Sequence, residues 1–227
     1  MTKNYLAVVL SLLFFNSYSQ QLSQVTFSGG STFSWFSLST NENVLIRISN
    51  DGKILEFGTE ESALNNKNYY ARKLRPYLGR VEYYSKESDS AFRGKIKSIG
   101  SCYFTYYPST DYPENVGKIK SAGSLLFDYY RKFNDALIVG KIKSIGGTAI
   151  NYFSSSDNEA FKSKLKLVGN TAITYYSNFD DKALKGKLKS IGSLNYEWYT
   201  SFDLQRSGSL KSGFRRSLVN GITYVIE

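Results

Sequence analysis

A 23-residue repeat occupies the middle of the chain and limits the folds open to it. Its most regular part is a seven-residue motif that begins at positions 94, 117, 140, 163 and 186, as in Gly94-Lys-Ile-Lys-Ser-Ile-Gly100. A pair of aromatic residues follows twelve residues after each start, as in Tyr106-Tyr107. A unit of this length is a single supersecondary element, so neighbouring units must pack against one another to bury a core.

Each unit reads as a β-hairpin. Residues 95–99 are too few for a helix, and Gly100-Ser101 behind them suits a two-residue hairpin turn. Residues 102–107 are rich in β-branched and aromatic side chains, which favour strands. The chain as a whole has 19 Tyr and 15 Phe against only 3 Pro. We therefore predict an all-β fold in which tandem hairpins form an elongated antiparallel meander sheet or, alternatively, a hairpin solenoid.

The hairpin turn also predicts which side chains share a face. With Ile99 opposite Cys102, strict alternation places Lys95 and Lys97 on the same face as Phe104. Across the units this position forms an apolar column, Phe104, Phe127, Ile150, Ile173 and Tyr196, while the next position forms a polar column, Thr105, Asp128, Asn151, Thr174 and Glu197. We expect a sheet with one wetter side.

The first residues read as a secretory signal peptide. Lys3 supplies the positive start, residues 6–15 the apolar stretch and Ser17-Tyr18-Ser19 a cleavage site, so that the mature chain begins at Gln20. The alternative, a membrane anchor, needs about 20 apolar residues, and Asn16 interrupts the stretch. No other segment is long enough to span a bilayer. We predict export to the periplasm, the cell surface or the extracellular medium, with no integral membrane span in the mature chain.

Weaker copies of the unit flank the regular ones. Gly52-Lys-Ile-Leu-Glu-Phe-Gly58 and Arg72-Lys-Leu-Arg75 precede them, and Gly208-Ser-Leu-Lys-Ser-Gly213 follows. Degenerate copies are typical of the terminal caps of repeat proteins. The predicted organisation is a signal peptide over 1–19, an N-terminal β cap over 20–51, and a β-hairpin repeat domain over 52–227 with regular units over 94–208.

Paired lysines are the first candidate binding residues. Each unit carries two, at Lys95 and Lys97, Lys118 and Lys120, Lys141 and Lys143, Lys164 and Lys166, and Lys187 and Lys189. On strands they would repeat about every 10 Å, twice the strand spacing, and such a strip suits an anionic polymer. The formal net charge of +10 agrees with a polyanionic partner. Alternatively, the lysine stems cover the aromatic columns through cation-π contacts and keep the sheet soluble.

The second residue of each aromatic pair is the other candidate. Tyr107, Tyr130, Tyr176 and Tyr199, with Phe153 in the remaining unit, could stack on sugar rings if they are exposed. The alternative is that they pack across strands and build the sheet.

Acidic residues recur in the connectors between hairpins. They are Asp89, Asp111, Asp157, Asp180 and Asp203, with Asn134-Asp135 in the remaining unit. Copies one unit apart would lie about 10 Å from each other, too far to share a metal ion. We predict Asx-type turns at these positions and no metal site.

Catalysis has little support in the sequence. The chain has no His, which excludes Ser-His-Asp and Cys-His mechanisms and His-based metal sites. Carboxylate pairs for glycoside cleavage are possible in principle, but the acids follow the repeat rather than forming one unique cluster. The single Cys102 permits no disulfide within the chain and aligns with Leu125 and Thr148, as a packed side chain would. We predict no enzymatic activity and no cofactor.

The unit Gly-x-Ile-Lys-x-x-Gly followed by Tyr-Tyr resembles the hairpin repeats of cell-wall choline-binding and glucan-binding modules. Those repeats also combine glycine turns with paired aromatic residues. Here the unit is longer, Trp198 is the only tryptophan in a pair, and Lys follows the first Gly. The resemblance implies a hairpin repeat and carries no binding residue over to this chain.

Together these patterns predict an exported, non-enzymatic repeat protein. Its partner would be an anionic polysaccharide or another surface polymer, bound through a face that carries lysine and aromatic residues. The alternative is a structural or adhesive scaffold that binds other protein chains at the cell surface.

Overall fold

A computed structural model describes residues 20–60, 73–86 and 88–227, and the predicted signal peptide lies outside these ranges. Within them the chain forms twenty β-strands and one short 3₁₀ segment. The first five strands are β1 (Gln21–Ser28), β2 (Thr32–Ser39), β3 (Leu45–Ile48), β4 (Ile54–Thr59) and β5 (Arg75–Pro76). The predicted all-β class is confirmed.

The repeat forms one long antiparallel meander of 11 strands, as predicted, in which sequence neighbours are also sheet neighbours. We call it the meander sheet. Its strands are β6 (Val81–Tyr83), β7 (Ile96–Ile99), β8 (Cys102–Tyr106), β9 (Ile119–Ala122), β10 (Leu125–Tyr129), β11 (Ile142–Ile145), β12 (Thr148–Tyr152), β13 (Leu165–Val168), β14 (Thr171–Tyr175), β15 (Leu188–Ile191) and β16 (Leu194–Asn195).

The C-terminal part of the chain forms the last hairpin of the repeat and then two strands of a different sheet. A two-stranded ladder follows the meander sheet, and the last two strands join β1 to β5 in a seven-stranded sheet of order β19-β20-β1-β2-β3-β4-β5. The remaining elements are β17 (Glu197–Trp198), the 3₁₀ segment (Ser201–Arg206), β18 (Leu210–Ser212), β19 (Arg216–Val219) and β20 (Ile222–Ile226). The degenerate copy at residues 52–58 thus lies in the seven-stranded sheet, whereas the copy at residues 208–213 extends the repeat through β18.

The predicted hairpin turns are present. Ile99 pairs with Cys102 across the turn, and Gly100 has a φ of 54°. A positive φ at the first turn position is what a type II′ hairpin requires, and glycine adopts it without steric cost.

A β-bulge interrupts the ladder in every regular unit. Asp128 pairs with Ser144, but the next residue, Tyr129, pairs with Ile142, which leaves Lys143 as an extra residue. The same shift recurs at the second lysine of the other units. Because of the extra residue, Ile142 and Ile145 both lie in the core, whereas Lys143 points to solvent.

The bulge overturns one prediction. Strict alternation placed Lys97 on the face of Phe104, but Phe104 is fully buried and Lys97 is exposed. The two lysines of a unit do not share a face either, since Lys95 lies before the strand and Lys97 lies in the bulge. The predicted apolar column from Phe104 to Tyr196 is buried, and the Thr105 column lies on the wetter side.

The buried face of the meander sheet packs against the seven-stranded sheet. Phe27, Phe36 and Ile46 belong to the same core cluster as Phe104 and Ile142. We call the opposite side of the meander sheet the outer face. Residues 20–51, which the sequence assigned to an N-terminal cap, thus lie across the inner face of the repeat.

Two hairpin turns of the seven-stranded sheet, which we call its tips, accept backbone hydrogen bonds from the meander sheet. The amide of Ile142 donates to the Asn50 carbonyl at 2.7 Å, and that of Leu188 donates to the Gly30 carbonyl at 2.7 Å. Gly30 has a φ of 66°, and a Cβ there would overlap the ring of Trp198. Glycine is therefore required where this tip meets the repeat.

Two adjacent residues of β10 test this arrangement. Phe127 is 2% exposed on the inner face, and Leu126 is 65% exposed on the outer face. We expect Phe127→Ala to lower the free energy of unfolding by about 3–5 kcal/mol, because it leaves a cavity. Leu126→Ala, the control, should change it by less than about 0.5 kcal/mol. Urea unfolding measures both, and equal losses would contradict the assignment of faces.

Candidate functional site

The first lysine of each unit donates a hydrogen bond to a backbone carbonyl outside its own unit, which belongs to the next unit in the first four. Lys141 Nζ donates to the Ser163 carbonyl at 2.7 Å, and Lys164 Nζ donates to the Gly186 and Ser31 carbonyls, each at 2.7 Å. Lys164 also lies 5.1 Å from the centre of the Tyr175 ring. We call this set the first-lysine column: Lys95, Lys118, Lys141, Lys164 and Lys187.

Other members of the first-lysine column follow the same pattern. Lys95 donates to Gly117 and Lys118 to Gly140, while Lys187 reaches Gly29 at 2.6 Å. Each ammonium faces the buried aromatic residue of its own unit. These lysines therefore join units and sheets, which matches the packing interpretation rather than an open binding strip.

Burial lowers the pKa throughout the first-lysine column, because a partly desolvated ammonium is disfavoured. The shift is largest at Lys164, where burial, with a smaller contribution from the charge of Lys187, lowers the pKa to about 8.

The second lysine of each unit lies on the outer face. We call this set the outer-lysine row: Lys97, Lys120, Lys143, Lys166 and Lys189. Three of them stand beside an aromatic ring, with Nζ at 5.9 Å from the ring centre for Lys120, 5.2 Å for Lys166 and 5.7 Å for Lys189. Lys97 pairs with Glu82 at 3.7 Å and Lys143 with Asp128 at 3.3 Å. Since the row uses alternate strands, its members repeat about every 10 Å.

The rings beside the outer-lysine row belong to the second residue of each aromatic pair. We call them the second-aromatic column: Tyr107, Tyr130, Phe153, Tyr176 and Tyr199. All five are half-buried. The hydroxyl of Tyr107 donates to the Phe127 carbonyl at 2.8 Å, and that of Tyr130 donates to the Ile150 carbonyl at 2.9 Å. Tyr107 also packs edge-on against Tyr129 at 5.9 Å. The column therefore links units and still borders the outer face.

The sequence pattern did not reveal one further member of the second-aromatic column and one of the outer-lysine row. Tyr84 donates to the Phe104 carbonyl at 2.7 Å and begins the second-aromatic column; its place 23 residues before Tyr107 could have revealed it. Lys211 occupies the bulge of β18 and continues the outer-lysine row. It follows Lys189 by 22 residues, so the shorter last unit hid it.

The outer face between these rows is open and carries both polar and apolar side chains, including the exposed Tyr103 and Leu126. Tyr107, Lys120, Leu126, Asp128 and Ser144 line a shallow groove across it. Hydroxyl pairs lie on either side, with 2.6 Å between Thr105 Oγ1 and Ser121 Oγ and 2.6 Å between Thr174 Oγ1 and Ser190 Oγ. The face thus combines ammonium groups, ring edges and hydroxyls.

The connector acids form turns, but not all in the predicted way. Asp89 accepts a bond from the Ala91 amide at 2.8 Å, as an Asx turn does. Asp157 and Asp180 instead bond back to the residue three positions earlier, each accepting from a serine amide at 2.6 Å. These hydrogen bonds hold the pKa of both carboxyls below the usual value. The Asx turns of the later units are made by Asp135, Asn158 and Asp181.

Other chemistry is sparse in the described residues. No group of three His, Cys, Asp or Glu side chains there could hold a metal ion. Cys102 is buried, and desolvation raises the pKa of its thiol to about 11, so the reactive thiolate is suppressed. Over the same ranges, no helix has the length and apolar character needed to cross a bilayer.

The low pKa of Lys164 predicts a pH dependence. Between about pH 8 and pH 10 the unfolded chain keeps a proton that the folded chain has lost, so the free energy of unfolding rises with pH. Relative to Lys164→Met, the wild type should gain stability between pH 7.5 and pH 9.5 in urea unfolding. One proton limits the gain to about 1.4 kcal/mol per pH unit, and the gain stays below this limit because Lys164 is only partly buried. Lys166→Met is the control, and parallel curves for wild type and Lys164→Met would contradict the assignment.

The second-aromatic column offers a reciprocal pair of substitutions. Tyr130→Phe removes the bond to the Ile150 carbonyl and the bond to Asn151 Oδ1 at 3.0 Å, and should lower the free energy of unfolding by about 1 kcal/mol. Tyr107 and Tyr130 each bond to the carbonyl of the residue 20 positions ahead, which for position 153 is Ile173. Phe153→Tyr adds a hydroxyl that can form this bond and should raise the free energy of unfolding by up to about 1 kcal/mol. Thermal unfolding checks both, and a loss on adding the hydroxyl would argue against the shared geometry.

No family model, curated protein or solved structure matches the chain. Any functional assignment therefore rests on the outer face itself.

Proposed function

We propose that this protein is a non-enzymatic binding protein that holds an anionic polymer, most simply a polysaccharide, along the outer face of the meander sheet. The observation that carries the proposal is the outer-lysine row. One exposed ammonium per unit lies in a bulge on the solvent side of the sheet, repeated about every 10 Å.

The charges of the outer face favour an anionic ligand. Among the described residues, Lys120, Lys166 and Lys189 have no acidic partner within ion-pair distance and lie beside rings instead. Asp157 and Asp180 interact electrostatically with Lys166 and Lys189 but form no ion pair with them, so these ammonium groups can meet carboxylate or sulfate groups of a ligand. A polymer that meets several of them at once gains avidity, because each contact after the first is intramolecular.

The shape of the outer face favours a polymer over a small molecule as the ligand. Small ligands prefer concave pockets that cover most of their surface, whereas the groove beside Tyr107 and Lys120 is shallow. The half-buried rings and the hydroxyls of Thr105 and Thr174 offer the apolar edges and hydrogen-bonding groups that sugars use. The predicted signal peptide would bring the protein to the periplasm, cell surface or medium, where such polymers occur.

Charge reversal of the outer-lysine row tests the proposal. We expect the Lys120→Glu, Lys166→Glu, Lys189→Glu variant to elute from a heparin column at much lower salt than the wild type, and Lys166→Glu alone to fall between them. The control variant, Lys73→Glu, Lys86→Glu, Lys185→Glu, changes the net charge equally at exposed positions away from the row.

Equal losses in the two triple variants would mean that the net charge, and not the row, retains the protein. Retention unchanged by the first variant would overturn the proposal and favour the alternative, a scaffold that binds protein chains. Far-ultraviolet circular dichroism of each variant establishes that it is folded.

A further inference from the structure

Three phenylalanine rings project from the connectors instead of packing in the core. Phe133, Phe179 and Phe202 are 86%, 94% and 87% exposed. They stand 46 and 23 residues apart, so they occupy the same position in their units. The connectors all leave the meander sheet on the side opposite the two-residue turns, which we call the connector side. Ser156 holds the equivalent position between them.

Each ring is the third residue of a closed four-residue turn. A backbone hydrogen bond from the fourth residue to the first closes each turn. The amide of Asn134 donates to the carbonyl of Arg131 at 2.9 Å, that of Asp180 to Ser177 at 3.3 Å, and that of Asp203 to Thr200 at 3.1 Å. The turn that contains Ser156 is closed in the same way. The backbone therefore holds these side chains outward at matching positions.

Neighbouring connectors are also bonded to each other. Asp181 accepts bonds from the amide and hydroxyl of Ser201 at 2.9 and 2.6 Å, and Asp135 accepts a bond from the amide of Ser155 at 2.8 Å. These bonds fix the spacing of the connectors to that of the strands. The three rings consequently span about 30 Å along the connector side, three units of two strands each.

The arrangement suits a lipid surface better than a protein groove. The rings are separated by polar turns and do not form a contiguous apolar patch of the kind that marks protein interfaces. Separate aromatic side chains on one side of a molecule can each enter the boundary between headgroups and acyl chains.

Charges beside the rings indicate the kind of lipid. Lys132 Nζ lies 5.3 Å from the Phe133 ring, and the exposed Lys182 follows Phe179 by three residues. The Arg206 guanidinium, four residues after Phe202, lies 5.6 Å from the Tyr199 ring and donates to its hydroxyl at 3.2 Å. The nearby carboxylates of Asp180 and Asp203 turn back to bind the amides of Ser177 and Thr200, each at 2.6 Å. Ammonium groups thus accompany the first two rings, as expected of contact with anionic headgroups.

We infer that the connector side is a peripheral contact surface for an anionic lipid bilayer. Phe133, Phe179 and Phe202 insert at the headgroup boundary, and the adjacent cations contact lipid phosphates. This surface is separate from the outer-lysine row, so one molecule can hold a polymer on its outer face while it rests on a membrane.

Vesicle flotation tests the inference, with vesicles made of equal parts phosphatidylcholine and phosphatidylglycerol. The Phe133→Ser, Phe179→Ser, Phe202→Ser variant should lose roughly tenfold or more of its lipid partitioning, because three apolar insertions are removed. Serine is compatible with this turn, because Ser156 occupies the equivalent position in the intervening unit. Ser156→Phe adds a fourth ring and should strengthen binding.

Matched controls separate this surface from general apolar exposure and from the proposed function. Leu126→Ser and Leu218→Ser remove apolar side chains elsewhere that are 65% and 73% exposed, and these variants should bind vesicles like the wild type. The phenylalanine variant should retain its heparin elution, so polymer binding can fail or hold independently.

Three results would overturn the inference. They are no flotation of the wild type, equal flotation of wild type and phenylalanine variant, or lipid-free self-association of the wild type that the phenylalanine variant abolishes in sedimentation. The last would assign the rings to contacts between copies of the protein.

Discussion

One extra residue per unit governs both faces of the meander sheet. A four-residue strand with strict alternation can present only two residues to the core, and in Ile142–Ile145 these would be either Ile142 and Ser144 or Lys143 and Ile145. The bulge at Lys143 turns Ile142 and Ile145 inward together and Lys143 outward. The buried core and the exposed lysine row are therefore two results of one backbone irregularity.

Hydrogen bonds between neighbouring units keep the bulges at equivalent positions along the repeat. A lysine, a tyrosine hydroxyl and a connector acid of one unit each bind the backbone of the next, as Lys141, Tyr130 and Asp135 do. Their partners lie 22 or 20 residues ahead, so a slip of one residue would break all three. The regular spacing of surface groups, on which multivalent binding depends, follows from these bonds.

Local chemistry made much of the repeat predictable. Glycine at the first turn position selects a two-residue hairpin, and this alone set the pairing of Ile99 with Cys102. The second strand alternates without interruption, so the burial of Phe104 and the exposure of Thr105 followed from the pattern. The first strand did not follow it, because a bulge that carries a lysine has no residue signature comparable to glycine in a turn. The predicted lysine pairs were therefore divided between two environments.

The sequence alone determined the units, namely their 23-residue length and their hairpin turns, which depend on contacts between near neighbours. It left two ways of assembling the units, a meander sheet and a hairpin solenoid, and the structure has the meander sheet. Only the tertiary structure decided what covers the inner face. β1 pairs in parallel with β20 from the other end of the chain, and the tips at Gly30 and Asn50 meet the repeat at Leu188 and Ile142. Such distant pairings depend on which apolar surfaces remain to be buried once the units have formed, and no local pattern records that choice. The same packing separated the first-lysine column, which is held against carbonyl oxygens, from the outer-lysine row, which is left to solvent.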